Sequence, residues 1–194
     1  MAIVVVGPPA AGKSTVAAVL AARRGLEVSC FDEDPLHWYG KFGYTEQAAD
    51  DAYASGGLPA WHAYTAPHEA RALADVVTTT DGVVDTGGGV ALQRAGSAEE
   101  RMLRTALDRA GLAVLVCPHL DDPDQAADVL AQRLLAREPD GMPGDWHRPD
   151  GVALLQELIR ASLALEGDVD LLIDTASGDV HERRRLRPAT VEGI

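Results

Sequence analysis

The sequence predicts an α/β fold, in which helices cover both faces of a parallel β-sheet. Five short apolar runs alternate with longer segments of helical pattern, and a chain of 194 residues suits one domain with a sizeable core. Parallel sheets of this kind bind ligands beyond the carboxyl ends of their strands, so the segments after the strands form the candidate site. The predicted strands span residues 2–6, 27–31, 82–86, 112–117 and 170–174, and the predicted helices span residues 13–24, 35–40, 45–54, 60–78, 98–110, 122–137, 150–165 and 177–184.

The loop after the first strand matches the phosphate-binding pattern G-x-x-x-x-G-K-[ST]. It reads GPPAAGKST over residues 7–15, between an apolar run and a segment rich in helix formers. Glycines let the backbone turn its N–H groups inward, and the helix N-terminus adds positive partial charge. Lys13 can reach the β- and γ-phosphates of a nucleotide, and the Ser14 hydroxyl can ligate Mg²⁺. A chance glycine turn is the alternative, but it requires neither the strand in front nor the intact Lys-Ser-Thr. The predicted nucleotide-binding residues are Gly7, Ala10, Ala11, Gly12, Lys13, Ser14 and Thr15.

The second strand ends in the acidic sequence Phe31-Asp32-Glu33-Asp34. Carboxylates two residues apart at a strand end can point to the same side. One of them could hold Mg²⁺, and the other could accept a proton from a substrate hydroxyl. The alternative is a solvated acidic turn in which Asp34 caps the next helix, as Pro35 at the first helical position indicates. Both roles are compatible with one residue.

Three glycines follow the third strand, in the sequence Asp85-Thr86-Gly87-Gly88-Gly89. They can expose backbone N–H groups to whatever lies above the sheet. A flexible turn is the alternative, but flexibility alone does not require three glycines at a strand end. Asp85 is a candidate for holding a magnesium-bound water, as the second acidic residue of a nucleotide site.

Residues 138–150 are dense in proline and glycine and follow a predicted helix, which predicts a mobile lid over about residues 133–150. Arg133 and Arg137 lie one helical turn apart, and Arg148 lies inside the loop. Each alone is more typical of a surface. A phosphoryl-transfer site needs positive charge over the γ-phosphate, so at least one is expected to close on ATP. The basic segment 183–194 is expected to be a frayed tail.

Composition restricts the partners and the compartment of the protein. The formal net charge of −13 disfavours nucleic acid, because a phosphate backbone selects basic surfaces, and no apolar run approaches membrane-spanning length. The chain enters its first strand at once, so no targeting segment and a cytoplasmic location are expected. Cys30 and Cys117 are expected to be buried free thiols, and the histidines show no metal-ligand spacing. A monomer or weak homo-oligomer is expected.

Four motifs, taken together and in this order, resemble shikimate kinase. They are residues 7–15, Phe31-Asp32-Glu33-Asp34, Thr86-Gly87-Gly88-Gly89 and Arg160-Ala161-Ser162-Leu163. The resemblance spans nearly the whole chain. It implies one P-loop NTPase domain over residues 1–194, with a five-stranded parallel sheet in the order 2-3-1-4-5, a substrate-binding region at about 33–62 and a moving lid.

The resemblance also assigns roles to individual residues. Lys13 would contact the phosphates of ATP, and Ser14 and Asp32 would serve Mg²⁺. Asp34 would bind and activate the acceptor hydroxyl, and Arg160 would bind an acceptor carboxylate. The resemblance further implies that the backbone N–H groups of Gly87, Gly88 and Gly89 contact the acceptor. It also implies that an arginine of the lid contacts ATP, and the candidates are Arg133, Arg137 and Arg148. Arg137 is the one expected at the reacting phosphate.

The chain departs from the family pattern in its substrate region. The family's substrate arginine follows an aromatic residue, whereas the best local match here is Trp61-His62, and Ala10 stands where glycine is common. Imidazole cannot rebuild a bidentate guanidinium–carboxylate contact. The expected protein is therefore an ATP- and Mg²⁺-dependent kinase for a hydroxyl of a small polyhydroxylated acceptor that still carries an anionic group. Shikimate is the leading named acceptor, gluconate-, cyclitol-, aminosugar- and nucleoside-type acceptors are alternatives, and a non-catalytic ATP-binding regulatory module is the alternative from another class.

Overall fold

A computed structural model of the chain describes residues 1–137 and 143–182. Its sheet contains five parallel strands in the order β2-β3-β1-β4-β5, which confirms the predicted topology. The most apolar strand, β1, lies at the centre, between β3 and β4. The strands are β1 (Ile3–Val6), β2 (Val28–Cys30), β3 (Val83–Asp85), β4 (Leu112–Cys117) and β5 (Leu171–Asp174).

A sixth strand, β6 (Val180–Glu182), pairs antiparallel with β5 at the sheet edge. The prediction of a helix at 177–184 is therefore wrong. A tight turn builds the hairpin instead, because the Asp174 carboxylate accepts hydrogen bonds from the N–H groups of Ala176 and Ser177, and Gly178 adopts a φ of 82°. Short turn signals of this kind between two strands select a hairpin over a helix.

Most of the helices begin where the sequence supplies a capping side chain. Thr45, Ser97 and Asp122 each accept a hydrogen bond from a first-turn N–H group of the helix that follows. The helices are α1 (Lys13–Arg24), α2 (Pro35–Tyr39), α3 (Glu46–Thr79), α4 (Ala98–Arg109), α5 (Pro123–Ala136) and α6 (Pro149–Leu163), with 3₁₀ turns at Gly40–Phe42, Pro143–His147 and Glu166–Asp168.

Helix α3 joins the two segments that were predicted as separate helices at 45–54 and 60–78. Gly56 and Gly57 interrupt it, since neither residue has helical φ and ψ angles, and Gly57 has a φ of 63°. The break that the sequence predicted is present, but the chain kinks there instead of leaving the helix. After this kink, the second part of α3 starts beside the carboxyl ends of the strands, where Trp61 and His62 lie, and ends at Thr79, shortly before β3 begins.

Apolar side chains fill both faces of the sheet. Val4 and Val6 pack on one face with α3 and α4, whereas Ile3 and Val5 pack on the other with α1, α5 and α6. This two-sided burial explains why β1 reads as a continuous apolar run. Within the described residues, no helix has both the length and the apolarity that crossing a bilayer requires.

Candidate active site

A cavity of about 330 Å³ lies over the carboxyl ends of β1, β2 and β3. The glycine loop, the start of α1 and Asp32 form one side, and the second part of α3 forms the other. Trp146 and the end of α5 close it from the lid side. The predicted site residues that line this cavity are Ala10, Gly12, Lys13, Ser14, Asp32, Trp61, His62, Gly88, Gly89 and Arg137.

Close packing gives the glycine loop its shape. A Cβ atom added to Gly7 would lie 2.1 Å from the Val116 carbonyl oxygen, so only glycine fits between β1 and β4. Gly12 has a φ of 101°, and Ala10 has a φ of 59° although it is not glycine. The Lys13 side chain is buried, and its Nζ donates to the Pro8 carbonyl oxygen at 3.2 Å. The ammonium group is thus held at the centre of the loop.

A second cavity of about 320 Å³ lies on the outer side of the same loop. Ala11, Thr15 and Arg133 line it, and residues Ala10, Gly12 and Arg137 line both cavities. The two cavities therefore meet at the glycine loop, with Arg137 where they join.

Arg133 connects α5 to the glycine loop. Its Nη1 donates to the carbonyl oxygens of Ala10 and Ala11, both at 3.4 Å, and to the Thr175 Oγ1 at 3.0 Å. The Thr175 hydroxyl in turn donates to the Ala11 carbonyl oxygen at 3.0 Å. These bonds hold the loop backbone against β5 and α5. Arg133 is therefore a structural brace of the loop as well as a lining residue of the outer cavity.

Asp32 and Asp34 lie in different environments, although they are two residues apart. Asp32 lines the inner cavity, whereas Asp34 caps α2 by accepting a hydrogen bond from the His37 N–H at 3.0 Å and does not line the cavity. The expected shared orientation does not occur because β2 ends at Cys30, so the strand alternation stops before both residues. Asp34 immediately precedes Pro35, which does line the cavity.

Two opposing influences act on the Asp32 carboxyl. Its side chain is accessible to solvent but lies in a concave surface. Partial loss of water around the carboxyl there raises its pKa above the ordinary value. The Lys13 ammonium lowers this pKa, and the nearby Asp85 carboxylate raises it. Asp32 thus sits beside both the cation of the loop and a second acidic group.

Asp85 does not reach the cavity, in contrast to the expectation that it holds a magnesium-bound water. It is buried beneath the site, with its Oδ2 3.6 Å from the Cys30 Sγ and its Oδ1 without a hydrogen-bond partner. As the last residue of β3, it keeps the strand conformation and pairs with Val5 of β1 on one side and Cys30 of β2 on the other. Cys30 and Cys117 are both free thiols, but only Cys117 is buried; Cys30 is partly buried, in contrast to the expectation that both are buried.

Glu69, on α3, lines the cavity and was not anticipated from the sequence. Its side chain is only 4% exposed, and its Oε1 accepts a hydrogen bond from the Tyr39 hydroxyl at 3.3 Å. Burial raises its pKa to about 8, and the Asp32 carboxylate adds to that increase. The helical spacing of His62, Thr65 and Glu69 was the available signal, since residues three and four apart share a helix face.

His62 is also buried in the cavity wall. Its side chain is 4% exposed, and its Nδ1 has no hydrogen-bond partner. The ring lies 4.9 Å from that of Trp61 and 5.9 Å from that of Trp146, measured between centroids. Burial lowers the pKa of His62 to about 4, so the imidazole is neutral at physiological pH.

The three glycines after β3 are required for space. A Cβ atom on Gly87 would lie 1.9 Å from the Glu69 Oε1, and one on Gly88 would lie 2.7 Å from the Pro9 Cγ. A Cβ atom on Gly89 would lie 2.7 Å from the His62 Nδ1. Close approach of α3 and the glycine loop, more than flexibility, accounts for this sequence. Gly88 and Gly89 line the cavity, and Gly87 lies beneath Glu69.

Two predicted arginines remain outside both cavities. Arg160 lies exposed on α6 and lines neither cavity, so its contact with an acceptor carboxylate stays a prediction. Arg148 is exposed and pairs with Asp145, with 3.3 Å between Nη1 and Oδ1. The middle of the expected lid, 138–142, and the expected tail, 183–194, lie outside the described residues. Arg137 is thus the lid arginine that the fold brings to the inner cavity.

Curated relatives match about half of the chain. A shikimate kinase of Saccharopolyspora erythraea is 37% identical over 89 residues, which cover 46% of this chain and 45% of that protein. One of Corynebacterium efficiens is 39% identical over 90 residues, covering 46% and 47%. A nucleotide-binding protein of Streptomyces coelicolor is 39% identical over 71 residues, covering 36% and 23%. The matches thus span less than half the length of these relatives, and no family model matches.

Solved structures match over nearly the whole chain. Shikimate kinase from Acinetobacter baumannii, solved in complex with shikimate, has a TM-score of 0.59 and 23% identity, covering 90% of this chain and 83% of that one. Shikimate kinase from Aquifex aeolicus has a TM-score of 0.56 and 21% identity, covering 90% and 86%. The chain is thus homologous to shikimate kinases over the matched segment and has the P-loop kinase fold over nine-tenths of its length.

Proposed function

We propose that this protein transfers the γ-phosphate of ATP to a hydroxyl group of a small molecule. The observation that carries the proposal is the meeting of two cavities at one glycine loop, with Lys13 buried in the loop and Arg137 lining both sides. Phosphoryl transfer requires a nucleotide and an acceptor on opposite sides of the transferred group, and positive charge where they meet. The outer cavity suits the nucleotide, and the inner cavity suits the acceptor.

Mg²⁺ fits the residues at the inner cavity. Ser14 supplies a hydroxyl and Asp32 a carboxylate, which are hard oxygen ligands. Among residues 1–137 and 143–182, no cluster of three or more His, Cys, Asp or Glu side chains is suited to a metal. A site completed by phosphate oxygens and water is what Mg²⁺ ordinarily uses beside a nucleotide. When bound, the ion neutralises charge on the β- and γ-phosphates.

The protein's own part in the reaction is positioning and charge neutralisation. Loop N–H groups and the Lys13 ammonium orient the phosphates, and Arg137 supplies positive charge at the reacting group. Asp34 is proposed to bind the acceptor hydroxyl, because it stands at the edge of the cavity beside Pro35 and remains exposed there. Asparagine at this position keeps the helix cap but not the negative charge, so the two roles of Asp34 can be separated.

The test is release of ADP from ATP in the presence of a panel of small alcohols. We expect Lys13→Ala to lower turnover by about two to three orders of magnitude, because it removes a preorganised charge from the transferred group. Lys41→Ala is the matched control, since Lys41 is an exposed lysine paired with Asp75 outside the site. Equal loss in both variants, or normal turnover in a folded Lys13→Ala variant, would contradict the proposal.

A non-catalytic nucleotide-binding module would give a different result in the same assay. It would bind ATP in a Lys13-dependent manner, and no alcohol would increase ADP release. The inner cavity argues against it, because a module that only binds nucleotide needs no enclosed site beyond the loop. The match to the Streptomyces coelicolor nucleotide-binding protein is compatible with either function, since the segment covers only 23% of that protein.

A further inference from the structure

We infer that the acceptor is an uncharged polyol without a carboxylate, and that His62 and Glu69 bind its hydroxyl groups. This inference rests on the proposed function and departs from the expectation of an anionic acceptor. Three observations carry it: a pair of unpartnered buried atoms, the charges around the cavity, and its aromatic walls.

The unpartnered atoms are the His62 Nδ1 and the Glu69 Oε2. Both flank the same point, because a Cβ atom built on Gly89 would lie 2.7 Å from the first and 3.3 Å from the second. A buried polar atom without a partner carries a desolvation cost that a ligand can remove. A hydroxyl group both donates and accepts, so hydroxyls are suited to bind an imidazole nitrogen and a carboxyl oxygen side by side.

The charges around the cavity disfavour a carboxylate on the acceptor. Among the described residues that line it, the cations are Lys13 and Arg137, and both lie where phosphate is expected. Residues 25–93, which build the acceptor side, contain one arginine and one lysine, Arg71 and Lys41. These two pair with Glu99 and Asp75 on the surface.

A bound carboxylate would instead face acidic groups. Asp32 and Glu69 both line the cavity, and the segment 138–142, EPDGM, contains no basic residue. Removing a carboxylate from water without a cationic partner is costly. A protonated carboxyl binds a hydroxyl as donor and acceptor, whereas an ionised one repels a carboxylate further.

The walls of the cavity suit a compact ring with apolar C–H groups. Tyr44, Trp61 and Trp146 line it, and their rings supply large and rigid apolar surfaces. The Tyr39 hydroxyl donates to the Glu69 Oε1, which leaves the buried Oε2 without a partner among the described residues. Apolar walls with a few convergent polar atoms are typical of small-molecule sites.

The experiment compares acceptors that differ only at a carboxylate. The pairs are glucose with glucuronate, glucitol with gluconate, and the hydroxymethyl analogue of shikimate with shikimate. Binding is followed by tryptophan fluorescence with a non-hydrolysable ATP analogue and Mg²⁺, and transfer is followed by ADP release. We expect the uncharged member to bind at least about tenfold more tightly in each pair that binds. Tighter binding of the carboxylates, or of glucosamine over glucose, would overturn the inference, as would an absence of binding by every uncharged member.

A matched pair of histidine variants tests the proposed contact. His62 and His68 are both buried on α3 with an unpartnered Nδ1, but only His62 lines the cavity. His62→Leu is expected to weaken polyol binding at least about tenfold and to leave ATP affinity unchanged, whereas His68→Leu leaves both unchanged. Equal effects of the two variants would assign His62 a structural role only.

The two proposals fail in different ways. Tight polyol binding without any ADP release would contradict the phosphotransfer function and leave the acceptor site standing. Efficient phosphorylation of the carboxylate members alone would confirm phosphotransfer and overturn the inference about the acceptor. His62→Arg is a further test, since a guanidinium group in the cavity wall should shift the binding preference towards the carboxylate member of each acceptor pair. If that variant does not fold, the matched acceptor pairs on the wild-type protein decide the question.

Discussion

Gly7→Ala tests whether close packing of two central strands is what shapes the glycine loop. An added Cβ would lie 2.1 Å from the Val116 carbonyl oxygen and 3.2 Å from its carbonyl carbon. Carbon and oxygen that are not bonded do not approach so closely, so β1 and β4 would have to separate by about 1 Å. Both neighbours are backbone in the middle of the sheet, and neither can move alone.

The expected cost has two parts. Overpacking in a well-packed interior costs about 1–3 kcal/mol, and a side chain forced to a positive φ, here 154°, costs about 1–2 kcal/mol more. The sum is about 2–5 kcal/mol in the free energy of unfolding. Gly25→Ala isolates the second part, because Gly25 has a φ of 65° and an added Cβ would meet no atom within 4 Å. That control is expected to cost about 1 kcal/mol.

Urea unfolding of both variants and the wild type measures these costs directly. The same preparations are then tested for ATP binding by calorimetry. We expect Gly7→Ala to lose stability and nucleotide affinity together, and Gly25→Ala to keep its nucleotide affinity. If the two variants are equally stable to within about 0.5 kcal/mol, the close approach to Val116 does not govern the loop, and the reasoning from packing is refuted.

Three further predictions follow from the site. Asp34→Asn should lower turnover by at least about tenfold with little change in ATP affinity, as measured by steady-state kinetics and calorimetry, because the cap remains and the carboxylate is lost; preserved turnover would make Asp34 a cap only. The wild-type protein should lose stability as pH rises from about 4.5 to 8, because the folded-state pKa of Glu69, about 8, exceeds the ordinary value of 4.5 and the folded state therefore holds the proton longer. Glu69→Gln should abolish this loss. Urea midpoints of both proteins at pH 6 and 9 measure the effect, and an equal pH dependence in both would refute it. Arg133→Met should weaken ATP binding about tenfold in calorimetry through loss of its bonds to the loop carbonyls, and unchanged affinity would show that the loop holds its shape without them.

The sequence alone determined the features of the fold that depend on local chemistry. The five parallel strands were found because strands buried on both faces must be continuously apolar, as in β1 and β4. The start of α1 followed from the glycine loop, and the start of α2 followed from Asp34 as a cap and Pro35 as the first helical residue. Helix 177–184 was wrong because a three-residue edge strand is too short for a periodic pattern, and only pairing with β5 makes it a strand.

The tertiary structure decided which side chains share the cavity. The glycine loop, Asp32 and the triple glycine could be read locally, since each follows directly from the end of a strand. Glu69 could not, because its high pKa comes from the burial of its side chain in the folded protein and from Asp32, which is far away in sequence. Arg160 is the converse case: its motif is local, but the folded structure leaves it exposed on α6 and outside both cavities. Strand ends fix where a site lies, whereas the packing of helices over them fixes its charge, and therefore what it can bind.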